Sequence, residues 1–229
     1  MIKYNYTSKI GLEKDFVATL VDILNLAIKK KGTASILFSG GSTPKGLMNQ
    51  FAKTTLDWKN IKIGLVDDRM VDESSPFSNL ALLKKELVHQ IPGDTKPTIY
   101  PLVFSPKKKR DNFNEAIESV LLLGSIDIAL LGMGADGHFA SLFPEDDSSL
   151  AALKDSYTLP LVYTTAPTAP KERISFSWLY LKSAEHIFLH ITGRTKKKII
   201  TTYRVPPMLL PIDRFLEDST SSMAIYWAP

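Results

Sequence analysis

The chain has 229 residues, 44% of them hydrophobic, no cysteine, and a formal net charge of +4. That length fits one large α/β domain with a sizeable core, and the lack of cysteine excludes disulfides, thiolate zinc sites and a cysteine nucleophile, as a reducing cytoplasm would favour. No basic head with an apolar stretch opens the chain and no window approaches eighteen uninterrupted apolar residues, so neither a signal peptide nor a membrane span is expected.

In chain order, residues 12–30 place Phe16, Leu20, Ile23, Leu24 and Ala27 on one helical stripe that ends in lysines, a favourable helix C-terminus. Residues 33–38, Thr-Ala-Ser-Ile-Leu-Phe, read as a short apolar strand, and a helix with proline in its first turn starts at Thr43. A second strand spans 61–66, followed by a polar loop and a helix over 78–88. A helix near 111–123 leads to a strand over 126–132 that is apolar on both faces. The segment 173–178, a strand over 186–191, a basic helix from Arg194 and a last strand over 222–227 complete the pattern. No repeat or linker divides it. Apolar strands alternating with helices predict a single-domain α/β fold over 1–229: a mostly parallel, doubly wound, Rossmann-like sheet flanked by helices. Ligands of such sheets bind outside the carboxyl ends of the strands.

Three strands run into chemically loaded loops. Ser39-Gly40-Gly41-Ser42-Thr43-Pro44 offers close backbone approach and hydroxyls before a helix N-terminus, a favourable place for phosphate. The same turn also reads as an ordinary capped strand-to-helix connection. Asp67, Asp68 and Arg69 follow the second strand; the arginine suits a phosphate and a carboxylate suits a guanidinium or a sugar hydroxyl, while a surface ion pair is the plainer alternative. The third loop, Gly-Met-Gly-Ala-Asp-Gly-His over 132–138, sets His138 among Gly132, Gly134 and Gly137. Histidine titrates near neutrality and serves as a general base; Asp136 is placed to orient the ring or a ligand, and backbone N–H groups of the glycine turn to stabilise an oxyanion. A structural histidine is the alternative.

His186 and His190, four apart in a strand, stand roughly 13 Å from one another and cannot share a metal. No Cys/His/carboxylate spacing argues for zinc, so no metal and no cofactor are expected. The serine-hydrolase signature Gly-x-Ser-x-Gly is absent. Basic clusters at 29–31, 107–110 and 196–198 lack interleaved aromatics, so they favour small anions over nucleic acid.

Together, residues 39–44, 67–79, 132–144 and 173–196 resemble, in the same order, the motifs of the 6-phosphogluconolactonase family of bacterial type. The stretch Gly-Met-Gly-Ala-Asp-Gly-His-Phe-Ala-Ser-Leu-Phe-Pro is the most specific of the four. The resemblance implies hydrolysis of 6-phospho-D-glucono-1,5-lactone to 6-phosphogluconate, a step of the pentose phosphate pathway, in the cytoplasm. It carries His138 over as general base, with Asp136 as orienter or hydroxyl ligand. It places a phosphorylated sugar against Ser39, Gly40, Gly41, Ser42, Thr43, Asp67, Arg69, Gly134, Arg173 and Lys196. Lys197 and Lys198 follow that last lysine at once and compete with it for the role. Two positions depart from the family pattern: Asp68 replaces a glutamate, and Phe139 replaces a common threonine at what is expected to be the pocket wall. The partner implied is a small phosphorylated sugar lactone, with neither nucleic acid nor membrane; oligomeric state stays open, a monomer being compatible.

Two alternatives stay beside this one. A glucosamine-6-phosphate deaminase shares the Gly-Ser-Thr-Pro turn but carries a glutamate where Phe143 stands here. A non-catalytic phosphosugar sensor would keep the anion turn and lose the base.

Overall fold

The computed structural model describes residues 2–202, 209–218 and 222–229. The chain opens with β1 (Ile2–Asn5), α1 (Lys9–Lys31), β2 (Ala34–Phe38), α2 (Lys45–Phe51), β3 (Ile61–Leu65) and β4 (Asp67–Arg69). There follow α3 (Asn79–Glu86), β5 (Thr98–Tyr100), α4 (Lys109–Leu123), β6 (Ile128–Leu131), α5 (Asp147–Ala152), β7 (Leu161–Thr165) and β8 (Glu172–Phe176). The chain ends in α6 (Trp178–Lys182), β9 (His186–Thr192), α7 (Arg194–Thr201), α8 (Pro211–Glu217) and β10 (Met223–Ala228).

Every residue of β2 and of β6 is buried. Strands apolar on both faces are stable only at the centre of a sheet covered on each side, and these two lie side by side in a seven-stranded sheet of order β1-β10-β9-β6-β2-β3-β5. All its pairings are parallel. The long helix α1 begins where the Ser8 side chain accepts a hydrogen bond from the Gly11 amide and stops at Gly32, which adopts the left-handed conformation. It buries Leu12, Phe16, Leu20, Leu24 and Ala27, while Ile23 of the expected stripe is only partly covered. Each large apolar side chain so buried contributes about 1.5–3 kcal/mol.

From β2 the chain moves outward through β3 to β5, then returns to lay β6 on the other flank of β2. The connections after β2 and β6 therefore diverge and leave a crevice between two neighbouring strand ends, the switch point at which such sheets take ligands.

A second sheet was not expected from the sequence. β4, β8 and β7 form a three-stranded antiparallel layer of order β4-β8-β7. Residues 67–69, expected as the start of a polar loop, are a strand because β3 continues past the parallel sheet after one residue. The Val66 amide still donates to Phe38 O at 3.0 Å, whereas Val66 O already accepts from Phe176 N at 3.0 Å. The handover lifts Asp67 and Arg69 over the crevice and sets Arg173 of β8 opposite Arg69. The segment beginning at Arg173, expected among the strands of a mostly parallel sheet, belongs to this antiparallel one instead. No helix among the described residues is long and apolar enough to cross a membrane.

Candidate active site

The crevice at the ends of β2 and β6 widens into a cleft of about 530 Å³. The two ends are latched by Ser39: its amide donates to Leu130 O at 3.0 Å, its hydroxyl donates to the same carbonyl at 3.0 Å, and its Oγ accepts from the Gly132 amide at 2.9 Å. That hydroxyl, expected to face a phosphate, is instead committed to joining the strands. The amides of Gly40, Gly41, Ser42 and Thr43 make no hydrogen bond among the described residues, and all four residues line the cleft. Such free amides favour an anion.

Two guanidinium groups form the opposite wall. Arg69 and Arg173 are directly paired across β4 and β8, and both line the cleft. Like charges placed opposite one another on a sheet cost stability. Arg173 is buried, its Nε donating to Pro170 O at 2.9 Å; Arg69 donates from Nη1 to Phe77 O at 2.6 Å, and its Nε is buried without a partner among the described residues. Burial first, and the neighbouring Arg69 second, lower the pKa of Arg173, while Asp67 and Asp68 oppose that shift. Neither arginine forms a salt bridge with a carboxylate of the described residues. A pair of facing cations that Asp67 and Asp68 offset without a close ion pair is costly to hold together, and an anion joining it lowers that cost. Asp67 borders the same space and its Oδ2 accepts from the Ser141 hydroxyl at 2.5 Å.

The loop after β6 presents the third group. His138 Nδ1 lies 2.6 Å from Asp136 Oδ1, and the same oxygen accepts from the His138 amide at 3.3 Å. Burial alone would raise the pKa of Asp136, but the hydrogen bond and charge of His138 outweigh it and hold the carboxyl below the usual range. The ionised carboxylate therefore accepts, which puts the ring proton on Nδ1 and leaves the Nε2 lone pair without a partner among the described residues. The imidazole rests against Gly134, where any Cβ would collide with both the ring and the Asp136 carboxylate. Phe143 flanks it on another side, ring centroids 4.7 Å apart. The loop is closed by the Gly134 amide donating to His138 O at 2.9 Å and the Gly137 amide donating to Gly134 O at 3.2 Å. The amides of Gly132, Gly134 and Gly137 are thus all occupied, so an oxyanion in this turn has only the amides of its other residues to draw on.

Lys196 borders the cleft from the first turns of α7, and burial lowers its pKa. Lys197 instead lies over the Trp227 ring, 3.6 Å from its centroid, and Lys198 is exposed. Every candidate residue from the four motifs, Ser39 to Thr43, Asp67, Arg69, Gly134, Asp136, His138, Arg173 and Lys196, borders this one cleft. The two departures from the motifs stay outside it. Phe139, expected on the pocket wall, is fully buried against Trp178, ring centroids 5.4 Å apart. Asp68 is buried at the start of α3, where it accepts from the amides of Arg69 and Asn79 at 2.7 Å and of Leu80 at 3.1 Å. Burial pushes its pKa up to about 6. Asn79, Ser141 and Phe143 line the cleft without having been singled out as binding residues; an asparagine behind a serine at a helix start reads in sequence as a cap.

A model of the family described as glucosamine-6-phosphate isomerases/6-phosphogluconolactonase matches residues 8–227. The chain belongs to this family. A 6-phosphogluconolactonase of Rhizobium meliloti is 32% identical over 209 residues, 90% of this chain and 89% of the relative. One from Helicobacter pylori strain J99 is 32% identical over 218 residues, 94% and 92% of the two chains. The solved structure of a 6-phosphogluconolactonase from Shewanella baltica matches with a TM-score of 0.90 at 25% identity, covering 100% of this chain and 98% of that one. The family resemblance drawn from the four motifs and the mostly parallel α/β fold are both borne out.

Proposed function

We propose that this chain hydrolyses 6-phospho-D-glucono-1,5-lactone to 6-phosphogluconate, with His138 as general base and the phosphoryl group held by the 40–43 amides, Arg69, Arg173 and Lys196. The observation that carries the reading is that the oriented imidazole and two facing arginines border one cleft in a chain of this family. The Nε2 lone pair of His138 takes a proton from water as the oxygen attacks the lactone carbonyl. The tetrahedral intermediate collapses by breaking the bond from the carbonyl carbon to the ring oxygen. That oxygen receives the proton from the imidazolium, and the new carboxylic acid ionises, so each turnover releases one proton. Asp136 holds the Nδ1 proton and stabilises the transient imidazolium.

The charged end of the substrate lies remote from the reacting carbonyl. Gripping it fixes the ester beside the base and lowers the entropic part of the barrier. Each charge-assisted hydrogen bond to phosphate is worth about 1.5–3 kcal/mol. The rival deaminase chemistry needs a further acid–base group where Phe143 packs its ring on His138, and a phenyl ring carries no proton.

The deciding assay follows acid release with a pH indicator on freshly generated lactone, above the spontaneous rate. Proton release supports the lactonase, ammonia release from the aminosugar phosphate supports the deaminase, and saturable binding without turnover supports a sensor. His138→Ala is expected to cut turnover by about 10²-fold or more while phosphosugar binding persists; near-normal turnover would remove His138 from the mechanism.

A further inference from the structure

The two halves of the anion grip come from different sheets: the free amides follow β2 of the parallel sheet, and the arginines stand on β4 and β8 of the antiparallel one. At the base, Val66 N to Phe38 O joins them. Further out the side chain of Asn79 lies between the two, only 2% exposed. Its Nδ2 donates to Asp67 O at 3.0 Å, and its backbone N–H donates to Asp68 Oδ1 at 2.7 Å. Since only the nitrogen of a carboxamide donates, this fixes which way the group faces. Oδ1 is therefore turned toward Gly40, so closely that a Cβ built there would coincide with the carboxamide. Gly40 and Asn79 form a matched pair, the one without a side chain because the other fills that space.

We propose that Asn79 is a positioning residue for phosphoryl recognition: wedged between Gly40 and the Asp67 carbonyl, it sets the separation of the 40–43 amides from the Arg69 guanidinium. The proposal rests on the reading of this cleft as a phosphosugar lactone site. It assigns to Asn79 selectivity for the phosphorylated substrate, not the chemical step.

The test compares Asn79→Ala, Gly40→Ala and the double variant on 6-phosphogluconolactone and on glucono-1,5-lactone, which lacks the phosphoryl group. The quantity read is the ratio of the two kcat/KM values. Asn79→Ala is expected to lower that ratio tenfold or more, through KM for the phosphorylated lactone. Gly40→Ala does likewise, because its methyl group displaces the turn. In the double variant the shortened side chain makes room for that methyl, so the ratio recovers at least threefold over Gly40→Ala alone. Equal losses on both lactones, or losses that simply multiply in the double variant, would overturn the proposal. Thermal melts establish that each variant is folded. If Asn79→Ala does not fold, Asn79→Ser replaces it, with competitive inhibition by inorganic phosphate as the readout: a raised inhibition constant is expected, and an unchanged one overturns the role. A wild-type protein with no preference for the phosphorylated lactone would overturn the phosphate assignment itself, before any variant is made.

Discussion

Replacing Asp136 with asparagine separates the orientation of the base from its presence. In the wild type a carboxylate oxygen lies 2.6 Å from Nδ1, which puts the charge centres of carboxylate and imidazolium about 4 Å apart. Two unit charges at that separation attract by about 4 kcal/mol at an effective dielectric constant near 20. The side chains of His138 and Asp136 are 30% and 38% exposed, so water screens part of this. A net coupling of about 1.5–3 kcal/mol remains, the range of a charge-assisted hydrogen bond. Asparagine either keeps its oxygen toward Nδ1 and loses the charge, or turns its amide toward the ring and forces the wrong tautomer. At roughly 1.4 kcal/mol per factor of ten, kcat falls about 10- to 10²-fold. KM changes little, because the phosphoryl grip is made elsewhere. The assay is steady-state proton release by Asp136→Asn, His138→Ala and the double variant. Since Asp136 acts through His138, the double variant is expected to be no slower than His138→Ala. A kcat within twofold of wild type for Asp136→Asn, or a loss that multiplies fully with that of His138→Ala, would refute the argument.

Arg173→Met removes one of two facing guanidiniums; KM for the phosphorylated lactone is expected to rise about 10- to 10²-fold, one charged hydrogen bond's worth, with a smaller change in kcat. A fall in kcat with KM unchanged would detach Arg173 from phosphate. Phe139→Thr leaves the cleft and empties core space beside Trp178; stability is expected to fall by about 3 kcal/mol or more, lowering Tm by roughly 6–12 °C while KM holds. A raised KM at unchanged Tm would return Phe139 to the pocket wall. His190 is buried with neither ring nitrogen hydrogen-bonded among the described residues, and burial, then Lys9 and Lys196, lower its pKa to about 3. The unfolded chain, with an ordinary imidazole near 6.5, binds more protons between those values, so stability is lost as pH falls from 6.5 toward 3, by on the order of 2 kcal/mol at pH 5. Urea midpoints measured at pH 7 and pH 5 are expected to diverge less in His190→Leu than in wild type; an unchanged difference would exclude His190 as the source.

The strands that frame the site were legible because their cause is local. Ile36, Leu37 and Phe38, like 128–131, are buried on both faces, and a continuous apolar run declares that directly. The short strand β4 has no such signature. Asp67, Asp68 and Arg69 form a strand because Ser175, Ile174 and Arg173 pair with them from more than a hundred residues away, and hydropathy carries no record of a partner so distant. The edge strands β1 and β5, exposed or half-covered, were missed for a related reason: little apolar surface marks them.

The same distinction divides the site. Residue types that carry charge or a titratable ring stood out at the strand ends, and those residues line the cleft. The state of a backbone amide did not, since it depends on which loop closes on itself. Gly132, Gly134 and Gly137 looked like donors by composition, yet their amides bond to Ser39, His138 and Gly134, whereas the turn at 40–43 keeps its own unpaired among the described residues. Side-chain direction was equally hidden at Phe139, adjacent to His138 in sequence and opposite to it in space. The reversal follows from the backbone there: Ala140 takes a φ of +47° and Phe139 bridges to Leu142, so the chain bends directly after the histidine and drives the phenyl ring onto Trp178. One turn thus both aims the imidazole outward and anchors its neighbour inward. A substitution that loosens the anchor is expected to reach the chemistry through the position of His138, with no contact to the substrate of its own.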